Sequence, residues 1–523
     1  MSTTKFGQHV PDILDCLAQL SNDEVPTPPT LARSMLDLLP GHVWSEPNYV
    51  WLDPFSKSGV YLREIATRLF DGLADWEPDF IKRREHILRN MLYGTSITEM
   101  TGILSRRTLY GSADASGTHS IVRLDDSQGN LPFVPAEHDF GASGKCRACK
   151  APKDLERGEN RENYAYSFIH GAYPTKELAS MKFDVIVGNP PFQLGDGGGG
   201  GGASATPLYN LFVEQALDLT PRHVVMITKS NWFTGGKGLD RFRARLLNDR
   251  HLVDLVDHPT LYDCFPGVKI RGGVSYWHWD RAYSGDCRVT TKVGDRVISG
   301  PVARNLGQYD VLVRRNEAVL ILEKVESFNG STTAEASLST VVSARKPFGD
   351  IKAPTKVQSV QNPVLVYANQ HTFEVDRTRI HANQDWIDKW KVLLVKAHGT
   401  SGRDDRTILG QPIVAGPGSA CTETYLVVGT FDSEAEAQHM AAYMRTRFAR
   451  FLVSLRKLTH NITRDSYKFV PLVPMTRRWV DSELYKRYGL SEADVDFIES
   501  MIDTRTADET DDPNVTSGPE DDE

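Results

Sequence analysis

The chain has few cysteines and no long apolar stretch, and both absences limit what it can be. Six cysteines in 523 residues are too few for a disulfide scaffold, so a reducing, cytoplasmic location is expected. No window approaches the ~18 consecutive apolar residues of a membrane-spanning helix, and the N-terminus lacks the basic and apolar regions of a secretory signal. These absences exclude a multispan membrane protein, and no membrane partner is expected.

An overall excess of positive charge is also missing. The formal net charge is −8, but nine acids and a single arginine fall between Asp503 and Glu523. The remaining residues therefore carry a net charge of zero, and a neutral body can still present a local basic face to nucleic acid. The tail has almost nothing to bury, so we predict that residues 501–523 are disordered.

Apolar runs alternate with helical patterns over the first 300 residues. Strands are predicted at 49–52, 90–97, within 183–192, and at 223–228, 252–258 and 272–279; helices are predicted at 31–39 and 60–70. This alternation predicts an α/β sheet of mostly parallel strands. Beyond about residue 300 strands and helices are mixed without the regular alternation, which indicates a different architecture.

The strongest chemical signal is Asn189-Pro190-Pro191-Phe192 at the end of an apolar strand. Neither proline donates to a sheet ladder, so the strand must stop there with its carbonyls free to accept hydrogen bonds. Asn189 adds a neutral oxygen acceptor, and Phe192 offers a flat apolar face. We expect the Asn189 side chain and the Pro190 carbonyl to accept the two hydrogens of an exocyclic amine, with Phe192 stacked on the ring. The alternative is a chance strand-ending turn.

The second signal is the run Asp53–Gly59 (DPFSKSG), which lies between an apolar strand and a helix. Its small residues let a ligand approach the backbone, and the helix N-terminus presents free amides. That arrangement suits the carboxylate of a nucleoside cofactor as well as a phosphate. The GK[ST] ending of a phosphate loop and the dinucleotide fingerprint are both absent.

The segments TPPTLARSM, LDPFSKSG, NPPF and FPGVKIRGGVSYWHWD stand in this order along the chain. Together they resemble the amino-methylating DNA methyltransferases of bacterial restriction–modification systems, in the gamma arrangement, where cofactor motifs precede the catalytic motif. The resemblance covers about residues 25–500. It implies an α/β fold: a Rossmann-like methyltransferase sheet, mostly parallel and seven-stranded, followed by a C-terminal mixed α/β target-recognition domain.

The resemblance also implies the chemistry. It implies a site-specific DNA methyltransferase that moves a methyl group from S-adenosylmethionine to the exocyclic amine of a flipped adenine, in restriction–modification or phage defence. The partners implied are double-stranded DNA and a separate restriction endonuclease, because only about 25 residues precede TPPT. The residues implied are Asn189, Pro190, Pro191 and Phe192 for catalysis, and Thr27, Pro28, Asp53, Pro54, Ser58, Gly59 and Glu99 for cofactor binding.

Two positions depart from the pattern of that family. Lys57 stands where the second glycine of the cofactor loop is usual. Ser96 stands where an acid for the ribose hydroxyls is usual, so Glu99 is the candidate as the nearest carboxylate. The third cofactor acid is not obvious before Phe183, and His170 falls near its place.

We therefore predict three segments. Residues 1–295 form the methyltransferase domain, with an inserted CxxC segment at about 115–170. Residues 296–500 form the target-recognition and DNA-binding domain, and residues 501–523 form the acidic tail.

The inserted segment contains a candidate metal site. Cys146 and Cys149 have the CxxC spacing of metal ligands, and His138 and His170 are nearby candidates for the remaining positions. No second CxxC is present, and two thiols alone do not complete a tetrahedral zinc site. The interpretations are a structural zinc or two reduced surface cysteines in a turn.

Two further segments have functional interpretations. The six glycines at 197–202 follow the NPPF motif and predict a mobile loop that closes over the site, or a spacer. A helix predicted to run from the Ser433 and Glu436 capping box to about Leu458 is rich in arginine and has no acid after Ala437. It predicts a phosphate-facing surface, or a solvated helix face.

Other functions are compatible with the same residues. Methylases of RNA bases and of protein glutamine also use an NPP-aromatic strand end, because an amide nitrogen poses the same chemical problem. A non-catalytic DNA-binding defence component is a third possibility, since Lys57 and Ser96 depart from the cofactor pattern.

Overall fold

The computed structural model describes residues 25–96, 98–134, 136–150, 153, 167–171, 181–192, 207–236, 238–328, 336–353, 360–369, 371–398, 406–457 and 461–504. The chain forms two compact units, residues 1–312 and 313–523. The tail beyond residue 504 and the six glycines at 197–202 lie outside the described residues, so the predictions made for them remain predictions.

The first unit is built on an eight-stranded sheet in the order β2-β1-β3-β4-β6-β5-β7-β8. The β1–β2, β1–β3, β3–β4 and β5–β7 pairs are parallel, which confirms a mostly parallel α/β sheet. Seven strands were expected, and the eighth arises because β8 folds back on β7 as an antiparallel hairpin. The strands are β1 Trp51–Ser56, β2 Leu92–Ser96, β3 Val185–Gly188, β4 His223–Lys229, β5 Leu252–His258, β6 Val274–Asp280, β7 Cys287–Val293 and β8 Arg296–Arg304.

The central strands are apolar runs with both faces covered. All residues of β1 and β3 are buried, as expected for parallel strands between layers of helices. The helices of this unit are α1 Pro29–Leu36, α2 Val60–Gly72, α3 Phe80–His86, α4 Glu99–Tyr110, α5 Ser167–His170, α6 Tyr209–Asp218 and α7 Asp240–Leu247. Short helical turns lie at Gly41–Ser45, Ile87–Met91, Ser230–Phe233 and Leu306–Gln308.

Strand β1 extends further than its sequence indicates. A strand at 49–52 and a loop at 53–59 were predicted, but the strand continues to Ser56 and the turn occupies only 57–59. A register shift between Asp53 and Ser56 interrupts the pairing with β2 at Pro54, which has no N–H to donate to the ladder. The motif is therefore mostly strand, and its side chains alternate across the sheet edge.

The boundary of the first unit falls at Leu312 rather than at residue 295. The additional residues include β8, which pairs with β7 along most of its length and so belongs to the first sheet. No helix of the described residues has both the length and the apolar character needed to cross a bilayer.

The second unit mixes small sheets and helices, as predicted. One three-stranded sheet has the order β10-β9-β13 and another has the order β12-β11-β14. The elements are β9 Pro363–Ala368, β10 His371–Asp376, β11 Trp390–Val395, β12 Ile413–Ala415, β13 Ser419–Cys421 and β14 Tyr425–Phe431, with α8 Asn316–Phe328, α9 Glu434–Arg445, α10 Arg447–Ser454, α11 Asp481–Arg487 and α12 Glu492–Met501. Short helical turns lie at Leu338–Thr340, Arg377–Arg379, Gln384–Trp386 and Arg464–Tyr467.

The single arginine-rich helix that the sequence predicts is two helices. Ser433 caps α9 as predicted and bonds the Glu436 amide at 3.3 Å. At Thr446 the backbone becomes extended (φ −61°, ψ 146°), and its hydroxyl caps α10 through the Ala449 amide at 3.2 Å. A second N-cap signal within the apolar periodicity therefore ends the first helix.

The predicted phosphate-facing surface of these helices is wrong for most of its arginines. Arg450 is 1% exposed and donates to the carbonyls of Arg445, Thr446, Thr407 and Asp503. Other cations of the segment are also held within the fold: Arg447 by Glu499, Arg456 over the ring of Phe469, and Lys457 by the His398 and Ile408 carbonyls. Arg464 is exposed, although its side chain donates to the Val342 carbonyl.

Candidate active site and metal centre

The NPPF motif lies at the carboxyl edge of the sheet, at the end of β3. Strands β1 and β3 are adjacent and parallel, with Trp51 opposite Val185 and Leu52 opposite Ile186. Their carboxyl ends therefore bring Asn189 beside the turn that follows β1. In open α/β sheets this edge is where ligands bind.

A cavity is lined by residues of both motifs and of the segment before α1. Asn189 and Thr27 line it together with Asp53, Lys57 and Gly59. Phe55, Ser58, Val60 and Tyr61 complete the lining. Four of the residues predicted to bind the cofactor, Thr27, Asp53, Ser58 and Gly59, are thus brought together with the predicted catalytic asparagine.

The other predicted site residues do not line this cavity. Pro28 precedes the first residue of α1 and Pro54 lies within β1. Glu99 is the first residue of α4 and is exposed. Phe192 is 7% exposed and packs edge-on against Phe265, with ring centroids 6.0 Å apart. Pro190 and Pro191 are buried in the segment between β3 and Phe192.

The Asn189 side chain has one satisfied end and one unsatisfied end. Its Nδ2 donates to the Val25 carbonyl at 3.0 Å and to Thr27 Oγ1 at 3.1 Å. Its Oδ1 is buried and has no hydrogen-bond partner among the described residues. A buried acceptor without a donor costs free energy, so native proteins keep few of them outside functional sites.

Gly59 is where the turn requires a glycine. Its φ of +72° is in the left-handed region, and a Cβ atom there would lie 3.2 Å from the backbone of Ser105. Helix α2 begins at the next residue, so its first amides point toward the cavity.

Lys57 departs from the family pattern in sequence, and the structure shows which group it contacts. Its side chain is 9% exposed, and Nζ donates to the Val25 carbonyl at 3.1 Å. The carbonyl that holds the Asn189 amide therefore also holds the lysine that replaces the usual glycine. The sequence showed that a lysine stands at this position, but it did not show which group the lysine contacts.

Asp53 is fully enclosed next to this lysine. Burial raises the pKa of the Asp53 carboxyl from its usual 3.8 to about 7, although the Phe55 amide, the Lys57 ammonium and the Ser56 hydroxyl act in the opposite direction. The Phe55 amide donates to Asp53 Oδ1 at 3.2 Å. The carboxyl therefore changes protonation state near neutral pH.

Phe55 is a further residue of the site that the sequence analysis did not assign. Its ring contacts Phe168 of α5 and Phe212 of α6 edge-on, at centroid distances of 5.8 and 5.1 Å. Phe55, in the middle of the DPFSKSG run, therefore anchors the cavity to α5 and α6.

The four candidate metal ligands of the insertion lie together. One ligand atom from each of His138, Cys146, Cys149 and His170 is within 4.8 Å of all the others. The Cys146 Sγ to His170 Nε2 distance and the Cys149 Sγ to His138 Nδ1 distance are both 3.4 Å. In a tetrahedral zinc site a sulfur and a nitrogen ligand lie about 3.5 Å apart, given the usual bond lengths.

The backbone around the thiols has the shape of a metal-binding turn. The Lys150 amide donates to the Cys146 carbonyl at 3.0 Å, and Lys150 has a φ of +65°. Burial alone would raise the pKa of the Cys146 thiol, but the Cys149 amide and the imidazoles of His138 and His170 outweigh it and lower the pKa to about 6. Both cysteines are buried, so the expectation of two surface thiols is wrong.

A family model for the Eco57I restriction-modification methylases matches residues 90–265. This range runs from just before β2 into the segment between β5 and β6, and it contains the NPPF motif. This third of the chain is therefore similar to the methylases of restriction–modification systems.

A relative in Mycoplasma pneumoniae, described as an uncharacterized adenine-specific methylase, is 33% identical over 342 residues. The aligned part is 60% of this chain and 80% of the relative. The chain therefore belongs to this family of adenine-specific methylases.

Two solved structures are similar over part of the chain. The modification subunit of a putative type I restriction enzyme from Vibrio vulnificus has 15% identity and a TM-score of 0.31, covering 52% of this chain and 48% of that protein. The methyltransferase subunit of a type I restriction-modification system from Streptococcus thermophilus has 11% identity and a TM-score of 0.33, covering 55% and 52%. The chain spans about half the length of these solved proteins.

Proposed function

We propose that this chain transfers a methyl group from S-adenosylmethionine to the exocyclic amine of adenine in double-stranded DNA. Membership of the adenine-specific methylases supports this class of reaction. The observation that carries the proposal is the buried Oδ1 of Asn189, an acceptor for which the described residues provide no donor and which lies beside the turn before α2. An amine hydrogen is the donor that this oxygen lacks.

The NPPF motif, Asn189 to Phe192, would act on the substrate amine by hydrogen bonding alone. Asn189 Oδ1 accepts one amine hydrogen and the Pro190 carbonyl accepts the other, which directs the nitrogen lone pair away from the corner. Phe192 lies next along the chain and would stack on the base. No strong base is needed before attack, because the amine's surplus proton is lost to water after the nitrogen–carbon bond has formed and the carbon–sulfur bond has broken.

The turn after β1 would hold the cofactor. When bound, S-adenosylmethionine supplies a methyl carbon attached to a positively charged sulfur. The donors available to it in this chain are the free amides at the start of α2, and the Asp53 carboxyl lines the same cavity. Their chemistry suits a ligand that carries a carboxylate and a cation.

The target base would have to leave the duplex to reach the corner, since pairing buries its amine and stacking buries its face. The second unit would grip the DNA. There a cleft of about 330 Å³ is lined by Arg345, Lys396 and Arg464, together with Thr463 and Asp465. Cations for phosphates and hydroxyls for base edges are the side chains that such recognition uses. Methylation would protect the DNA from a restriction endonuclease carried by a separate chain.

A labelled-methyl transfer assay with DNA, RNA and protein as separate acceptors tests the proposal. Transfer to DNA, with the label in N6-methyladenine and its loss in Asn189→Ala, is the expected result. Label in RNA or in protein glutamine alone would assign one of the rival substrates. Cofactor binding without transfer to any acceptor, or no binding by calorimetry, would favour a non-catalytic DNA-binding component.

We also propose that His138, Cys146, Cys149 and His170 bind one structural zinc ion. Two thiolates and two imidazoles form a complete tetrahedral set, and their spacing matches zinc bond lengths. The ion would join the hairpin that holds both cysteines to α5, whose Phe168 packs on Phe55 of the cavity. A structural zinc would thereby stabilise one wall of the active site.

Elemental analysis of the purified chain tests the zinc. About one zinc per chain is expected, and Cys149→Ala should lose it to below about 0.2 per chain. Cys287→Ala is the matched control, because Cys287 is also a buried thiol but lies in β7, and it should keep its zinc. Equal zinc contents in all three proteins would exclude the site.

A further inference from the structure

The orientation of the Asn189 amide is not free. The Val25 carbonyl can only accept, so the atom of the amide that faces it at 3.0 Å must be the nitrogen. The oxygen therefore points away from Val25, to the side where it has no donor among the described residues.

Thr27 strengthens this assignment. Its Oγ1 accepts from Asn189 Nδ2 at 3.1 Å. A hydroxyl oxygen has two lone pairs, so it can accept this bond whichever way its own proton points.

Lys57 holds the other acceptor in place. Its ammonium donates to the same Val25 carbonyl, and a charge-assisted bond of this kind is stronger than a neutral one. The carbonyl has two lone pairs, so it serves Lys57 and Asn189 together.

We propose that Thr27, the Val25 carbonyl and Lys57 form a brace that keeps Asn189 Oδ1 turned toward the substrate amine. Thr27 and Lys57 are then positioning residues that act through Asn189, and the role expected for Thr27 as a cofactor ligand is replaced. The inference rests on the proposed amino-methyl transfer. A flipped amide would present two N–H donors to an amine that is itself a donor, so the brace selects the only productive orientation.

A double-mutant cycle tests the brace. Thr27→Val keeps the shape and removes the acceptor, so kcat should fall about tenfold, the effect of one hydrogen bond in a buried site. Lys57→Met should also lower kcat, by a few-fold. Thr27→Ser restores the acceptor and should recover most of the rate. In the Asn189→Ala background, neither Thr27→Val nor Lys57→Met should lower the remaining rate further.

Binding of S-adenosylmethionine by calorimetry provides the second readout, and its Kd should change less than twofold in Thr27→Val. Ser105→Ala is the matched control, because it removes a buried hydroxyl from the Ser56 contact in the same unit without touching Asn189, and its kcat should be unchanged. An equal loss of rate with and without Asn189 would overturn the brace. So would a tenfold weaker Kd with kcat unchanged, which would make Thr27 a cofactor ligand. A wild-type chain inactive on DNA, RNA and protein would instead refute the proposed function.

Discussion

The Asn189 corner of the first unit and the arginine-rich helices α9 and α10 of the second unit both bury polar groups, but they satisfy them differently. Arg450 is buried and reaches four backbone carbonyls. Asn189 is buried to the same degree, yet its Oδ1 reaches no donor among the described residues. Arg450 is fully hydrogen-bonded within the fold, whereas Asn189 keeps an acceptor for which the described residues provide no donor.

The difference teaches where function lies. Sequence composition made the arginine-rich helices look like a ligand-binding surface, but a cation bonded to backbone carbonyls is occupied in holding loops together. An acceptor left over beside a cavity is available to a ligand. Satisfaction of hydrogen bonds, rather than the number of charges, therefore distinguishes Arg450 from Asn189 as a candidate for ligand binding.

The largest expected effect is that of Asn189→Ala on the chemical step. Loss of the acceptor should lower kcat about 10²–10³-fold, the usual cost of removing one preorganised polar group from an active site. The free energy of unfolding should change by less than about 1 kcal/mol, because the substitution also removes a buried oxygen without a partner. Labelled-methyl transfer and urea unfolding measure the two effects. A large loss of stability in Asn189→Ala would indicate that Asn189, like Arg450, stabilises the fold. That result would contradict the difference drawn between the two residues.

Arg450→Met should show the opposite pattern. It leaves carbonyls of three segments without their donor, so the free energy of unfolding should fall by about 3 kcal/mol. Urea unfolding measures the loss, and Arg478→Met is the control, because Arg478 is exposed and its removal should change stability by less than about 0.5 kcal/mol. DNA affinity of the folded Arg450→Met protein should keep its salt dependence. A smaller salt dependence would indicate that Arg450 contacts a DNA phosphate.

Much of the first unit could be predicted from sequence. Strand β5 was predicted with its observed bounds, and the NPPF corner was placed at a strand end, because apolar runs and prolines act locally. The extension of β1 through Pro54 was not predicted, since it depends on pairing with β2, a strand that lies nearly 40 residues away. Local signals located the elements, and long-range pairing set their ends.

The candidate site divides in the same way. Asn189 and Asp53 followed from motif and spacing. The brace depends instead on contacts between distant residues: Asn189 reaches Val25 and Thr27 across 164 and 162 residues of sequence, and Lys57 reaches Val25 across 32. The break between α9 and α10 was missed, because the cap at Thr446 competes with an apolar periodicity that continues through it. Burial of the arginines could not be predicted either, because it depends on how distant segments of the second unit pack around them.

Asp53→Asn should produce a pH-dependent gain in stability. Burial raises the pKa of Asp53 from 3.8 to about 7, so the folded chain holds a proton that the unfolded chain releases. Rising pH between about 4 and 7 therefore favours unfolding, and the destabilisation is complete above pH 7. The variant should match the wild type at pH 4 and exceed its free energy of unfolding by about 2 kcal/mol at pH 8, as part of the gain is offset by burying the new N–H donors of the asparagine amide.

Urea unfolding at both pH values measures this effect. Asp71→Asn is the control, because Asp71 is exposed and its replacement should change the free energy of unfolding by less than about 0.5 kcal/mol at either pH. The stabilised Asp53→Asn protein should bind S-adenosylmethionine more weakly, which would place Asp53 with Asn189 among the residues kept for function at a cost in stability. A variant less stable than the wild type at pH 8 would contradict this assignment.

The smallest expected effect concerns the cleft of the second unit. Lys396 lines this cleft and is half-buried, whereas Lys457 of the arginine-rich segment donates to two backbone carbonyls. If Lys396 contacts one phosphate, Lys396→Met should weaken DNA binding a few-fold and lower the slope of log affinity against log salt by about 0.9. Fluorescence anisotropy over a salt series measures the slope. The exposed Lys486, which lies in α11 outside the cleft, supplies the control substitution Lys486→Met. Equal slopes for both variants would show that the cleft is not part of the DNA-binding surface. The difference between Lys396 and the internally bonded Lys457 would then not indicate a difference in function.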